Sequence, residues 1–133
     1  MIRKILSILI ITLLCFNLTK VFSKEKKEEK KHVIGPIYKL DPFIVNIMGK
    51  EGERFLKVEM CFELENEGLK EELNERLPQI RDILIKLLSS KKVEEVSTLI
   101  GKEELQREII SKINRILISG KIKNVYFTDF VMQ

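Results

Sequence analysis

Phe55-Leu-Lys-Val-Glu-Met-Cys-Phe-Glu-Leu-Glu65 decides how this chain is read. Leu56, Val58, Met60, Phe62 and Leu64 share one face, while Lys57, Glu59, Cys61 and Glu63 occupy the other. A sustained period of two predicts a half-buried strand in an antiparallel sheet. Just upstream, Gly49-Lys-Glu-Gly52 is short enough to close a hairpin, and Tyr38, Leu40, Phe43, Val45 and Ile47 mark its first arm. Asp41-Pro42 interrupts that arm early, as suits an edge strand, because proline brings no N–H to a ladder. Downstream, Asn66 is a candidate helix cap. Leu69, Leu73, Leu77, Ile80, Leu84 and Leu87/Leu88 then recur at spacings of three and four. That pattern predicts one helix running through Pro78, kinked there, and closed by Ser89-Ser90. Val93–Val96 reads as a single helical turn. Thr98 caps a second long helix with the face Leu105, Ile109, Ile113 and Ile116/Leu117, ended by Ser119-Gly120. Asn124 to Met132 forms the last strand. The order of strands, then helices, then a strand predicts an α+β fold in which two long helices cover one antiparallel sheet.

The 133 residues suffice for one domain with a small appendage. Net charge is +4, but it is unevenly placed: residues 1–32 hold 8 Lys/Arg against 3 Asp/Glu, and residues 33–133 hold 16 against 17. The folded part thus has no bulk positive charge for nucleic acid.

The appendage opens with Ile5-Leu-Ser-Ile-Leu-Ile-Ile-Thr-Leu-Leu-Cys-Phe-Asn-Leu-Thr19, free of charge throughout. As a helix this stretch is about 22 Å long, and about 28 Å if continued to Ser23, against a hydrocarbon core of roughly 30 Å. Three readings compete: a membrane anchor over 5–23, a signal peptide cleaved after Val21-Phe-Ser23, and a buried N-terminal helix. Ile5, Leu6, Ile8, Leu9, Ile10, Ile11, Leu13, Leu14 and Phe16 would form the anchor. The charge count on either side leaves the orientation open. Residues 24–36 are a charged linker. Lys26, Lys27, Lys30 and Lys31 are its candidate contacts with lipid headgroups or a neighbouring protein, and Gly35-Pro36 marks the domain boundary.

Reactive groups are sparse. The single histidine, His32, lies in the linker, which leaves Ser and Cys without a nearby base. Cys61 stands between Glu59 and Glu63, neighbours that raise a thiol pKa. The carboxylate pairs Glu71-Glu72, Glu94-Glu95 and Glu103-Glu104 fall in the opening turns of helices, where they complement the helix dipole. There is no Cys/His metal spacing and no phosphate loop. Arg81-Asp82 reads as a surface pair or a partner contact. A non-enzymatic domain, without cofactor or metal, is the expectation.

Four stretches then carry a resemblance. Tyr38-Lys-Leu-Asp-Pro-Phe-Ile-Val-Asn46, Arg54-Phe-Leu-Lys-Val-Glu-Met60, Leu77-Pro-Gln-Ile-Arg-Asp-Ile-Leu-Ile-Lys-Leu-Leu-Ser-Ser-Lys91 and Val125-Tyr-Phe-Thr-Asp-Phe-Val-Met-Gln133 resemble, in order, motifs of the flagellar basal body-associated protein FliL family. Thr98-Leu-Ile-Gly101 departs from that family's Thr-Pro-Glu-Gly. The resemblance implies a stomatin/SPFH-like fold preceded by one transmembrane helix. It implies residues 1–4 in the cytoplasm, 5–23 in the inner membrane and 37–133 as a periplasmic domain at the flagellar basal body. The partners it implies are membrane lipid, the flagellar stator proteins and further copies of the chain in a ring, with no nucleic acid and no small-molecule substrate. The implied role is support of the stator in torque generation, swimming or swarming and control of rotation. A stomatin-like scaffold of some other membrane complex is the alternative. Arg81 and Asp82 join the linker lysines as candidate stator or protomer contacts. Pro42, Phe43, Asn46, Pro78 and Phe130 are expected to be structural, at core or turn positions.

Overall fold

Alternating burial along one long central strand organises the molecule. The computed structural model describes residues 33–133, together with Met1, Ile2 and Lys4. The strands are β1 (Ile37–Lys39), β2 (Phe43–Gly49), β3 (Gly52–Leu64) and β4 (Ile122–Met132), and the helices are α1 (Leu69–Glu75), α2 (Leu77–Ser89), α3 (Val93–Val96) and α4 (Leu99–Asn114). All pairings in the sheet are antiparallel. β3 lies in the middle: β4 runs along one side of it, and β1 and β2 follow each other along the other side. The break between β1 and β2 falls at Asp41-Pro42, as the proline requires, while the Leu40 N–H still reaches the Met60 carbonyl at 3.2 Å.

The inward face of the sheet carries Phe43, Val45 and Ile47 of β2 and Leu56, Val58, Met60, Phe62 and Leu64 of β3, all buried. Leu69, Leu73, Ile80, Leu84, Leu88, Leu105, Ile109 and Ile113 of the helices join the same core. β4 changes phase partway: Glu59 pairs with Asp129 but Met60 with Phe127, leaving Thr128 as a bulge. The extra residue lets Phe127 and Phe130, three apart, both turn toward the core, with ring centroids 5.2 Å apart.

The α+β architecture stands, with three corrections. Pro78 does not kink a continuous helix. Arg76 leaves helical geometry (φ −92°, ψ 6°), one helix ends before it, and Pro78 sits in the first turn of the next. A missing N–H costs nothing there, whereas mid-helix the ring would clash with the preceding turn. The last helix stops at Asn114, short of Ile116 and Leu117. The Asn114 side chain turns to β4 instead, donating to the Ile122 carbonyl at 3.0 Å and accepting from the Ile122 N–H at 2.9 Å.

The third correction removes the transmembrane helix, and with it the single-pass inner-membrane placement and periplasmic domain that rested on it. Among the described residues, no helix is long and apolar enough to cross a membrane. The longest, α4, has 16 residues and an amphipathic sequence, about 24 Å against a core of roughly 30 Å. The anchor positions 5–23, like Lys26, Lys27, Lys30 and Lys31, lie outside the described residues.

Candidate functional site

Arg81 does not pair with Asp82. Its guanidinium lies over the Phe43 ring, 4.3 Å from the centroid, and reaches the carbonyls of Asp41 at 3.3 Å and Pro42 at 3.5 Å. α2 thus holds the irregular segment between β1 and β2 by a cation–π contact and two carbonyl contacts. The Asp-Pro-Phe and Arg-Asp motifs, about forty residues apart in sequence, are two halves of one clamp. Asp82 instead accepts from Lys86 at 2.8 Å on the exposed side of α2. Of the two candidates, only Asp82 presents a free-standing surface charge.

The five motif residues divide. Phe43 is fully buried, Pro42 and Pro78 are exposed at turns, and Phe130 is half-buried with the Lys102 ammonium 5.2 Å from its ring. Asn46 is neither core nor turn. It is exposed on the outward face of β2, opposite Phe55.

Two carboxylates that sequence reasoning passed over organise the ends of the sheet. Glu63, on the nominally polar face of β3, is completely buried. It accepts from the Gly35 N–H at 3.0 Å, Asn124 Nδ2 at 2.7 Å and the Tyr126 hydroxyl at 2.6 Å. That last bond, with burial adding to it, pushes the Tyr126 phenol pKa up. Beside it the Leu64 N–H donates to the Pro36 carbonyl at 2.8 Å, so the end of the linker is sewn to the sheet. Glu72 in α1 reaches the loop after α4. It accepts from the Ile118 N–H at 2.9 Å, the Ser119 N–H at 2.7 Å and Arg76 Nε at 2.7 Å. The Ser119 N–H foremost, then those of Ile118 and Arg76, hold its carboxyl down to about 2 from an ordinary 4.5, against the opposing effect of burial.

A folded-state pKa below the unfolded one means that stability is complete above pH 4.5 and drains away as pH falls toward 2. Urea midpoints taken at steps from pH 6 to pH 2 should therefore fall less steeply for Glu72→Gln than for the parent chain across that window. Equal slopes would mean that the carboxylate's amide bonds contribute nothing.

Cys61 is half-buried on the outward face, and its thiol pKa is raised. Burial is the chief cause, with Lys39 opposing it, rather than the flanking glutamates. Among the described residues, no cluster of three or more His, Cys, Asp or Glu is placed to hold a metal ion.

What remains is surface. On the outward face of the sheet Lys57 Nζ bridges Asp129 at 3.1 Å and Glu59 at 3.2 Å. Ile44, Met48, Phe55 and Val131 stand exposed on the same face. A helix-covered sheet with one apolar open face and no assembled reactive groups has the form of a binding and scaffolding domain.

Residues 37–133 match the sequence model of the flagellar basal body-associated protein FliL family. The chain is 41% identical over 101 residues to the flagellar protein FliL of Aquifex aeolicus, covering 75% of this chain and 63% of that one. It is 29% identical to the flagellar protein FliL of Bacillus subtilis, over 82% of this chain and 78% of the relative. With the flagellar protein FliL of Escherichia coli K12 it shares 29% identity over 82% of this chain and 73% of the relative. The chain belongs to the FliL family, which makes it a flagellum-associated, non-catalytic protein. It spans just under two thirds of the Aquifex relative's length.

Proposed function

We propose that this chain supports the stator units of the flagellar motor at the basal body, assisting torque generation, swimming and the control of rotation. Several copies surround each stator and present the folded domain as a non-catalytic brace. The observation that carries this reading is the extent of the family match, which begins with β1 and runs to the last residue, Gln133, so that the whole sheet-and-helix unit is included. A brace also suits the chemistry: charged side chains are spent on tying segments together, as Arg81 and Glu72 are, rather than gathered for a reaction.

The test is a fusion of the chain to a fluorophore that matures in any compartment, imaged in cells with and without stator proteins. Foci at flagellar bases that fade when stators are deleted are the expected result. Foci that persist unchanged without stators, or a signal with no relation to flagella, would reject the stator reading.

A further inference from the structure

Both edges of the sheet are partly closed by side chains and backbone from the helical layer. On the β1/β2 side Arg81 occupies the carbonyls of Asp41 and Pro42, and Lys92 bridges to Met48. On the β4 side Asn114 takes both backbone groups of Ile122, and Gln106 donates to the Val125 carbonyl at 2.8 Å. Blocked edges disfavour association by strand addition. The outward face is different. Ile44 and Phe55 are 70% and 59% exposed, and with Lys57, Asp129, Val131 and Gln133 they line a shallow recess of about 310 Å³. Exposed large apolar side chains grouped around an ion-pair cluster mark a contact surface.

We infer that this face pairs with the same face of a second copy of the chain, across a two-fold axis. Charge selects that occupant. Lys57 stands between two carboxylates, Glu59 and Asp129, so each copy carries one negative charge in surplus. An ammonium group has three hydrogens to donate, and these two contacts leave one unused. A two-fold rotation brings the spare Lys57 donor of each copy to the surplus carboxylate of the other, an isologous contact in which both halves are satisfied together. Ile44, Phe55 and Val131 then pack against their counterparts as the inner faces of two stacked sheets do. Three strands offer less than the roughly 800 Å² per partner of a standard interface. The pairing is therefore weak, and it operates where copies are concentrated around one site. It deepens the assembly proposed above by naming one of its contacts.

The test uses two differently tagged full-length chains expressed together, with recovery of one on the other as the readout. Lys57→Glu in both copies should cut recovery at least tenfold, and so should Glu59→Lys with Asp129→Lys in both. Mixing the first variant with the second restores opposite charges at every cross-contact and should return recovery to within about twofold of the parent. Circular dichroism and melting of each variant establish that the fold is kept. Parent-level recovery in either self-paired variant overturns the inference, as does a mixture no better than its components. Phe55→Asp that abolishes swimming while copy-to-copy recovery stays at the parent level would assign the face to a different partner. Loss of stator-dependent foci with recovery intact would sink the motor reading alone.

Discussion

Replacing Gly101 with alanine should unfold the domain or lower its melting temperature by roughly 15–25 °C, the largest effect expected of any single methyl group in this chain. Gly101 lies in the first turn of α4, where its N–H donates to the Thr98 hydroxyl at 3.0 Å. Its α-carbon also faces the end of α3. A β-carbon built there would stand 1.6 Å from the Glu95 carbonyl oxygen and 2.8 Å from its carbon. Those are backbone atoms, so no side chain can swing aside, and α3 and α4 would have to separate. Val96, next to that carbonyl, is part of the core, so separation opens the core as well. A cost of about 3–5 kcal/mol follows for overpacking against a rigid neighbour, which in a domain of this size corresponds to the quoted shift. Thr98→Ala is the control. It removes only the cap and should cost about 1 kcal/mol. If Gly101→Ala melts within a few degrees of Thr98→Ala, the close approach of α3 to α4 is wrong.

This glycine also shows what the sequence makes legible. Thr98 was readable as a cap from its place before a periodic run, and the structure uses it as one. The demand on Gly101 comes from α3, a single turn whose packing leaves no periodic mark. The same division runs through the fold. The alternation of β3 announces its buried face because every residue reports its own burial. The phase change in β4 is written in the sequence too, since Val125 and Phe127 are odd while Phe130 and Met132 are even. What could not be read are interactions whose partners sit far along the chain. Arg81 looked like half of a surface pair because Asp82 is adjacent, whereas its real partners lie some forty residues upstream. The end of α4 was misplaced because Glu72, 46 residues away, takes the Ile118 N–H that a longer helix would have used internally.

Glu63 is the extreme case, and it supports the second large effect. Period two places it among polar outward residues, yet it is fully buried, with donors 28, 61 and 63 residues distant. Glu63→Ala should lower stability by about 3 kcal/mol, because a buried acceptor of several charge-assisted hydrogen bonds is lost and its donors are left to find water. The Tyr126 ring is partly exposed and its hydroxyl can turn outward, whereas the Gly35 N–H is fixed by the backbone. Gly35 has no room to adjust. A β-carbon there would meet the Leu64 carbonyl oxygen at 2.2 Å, and the Pro36 carbonyl is already engaged by the Leu64 N–H. The loss should therefore be local as well as global. Amide hydrogen exchange at residues 35–39 should accelerate in Glu63→Ala beyond what the lower overall stability explains, while the β2–β3 hairpin keeps its protection relative to the global unfolding limit. Glu63→Gln retains one acceptor oxygen and should fall between the two. Uniform acceleration across the sheet would mean that Glu63 supports the core in general, and that it does not fasten the incoming chain to the domain.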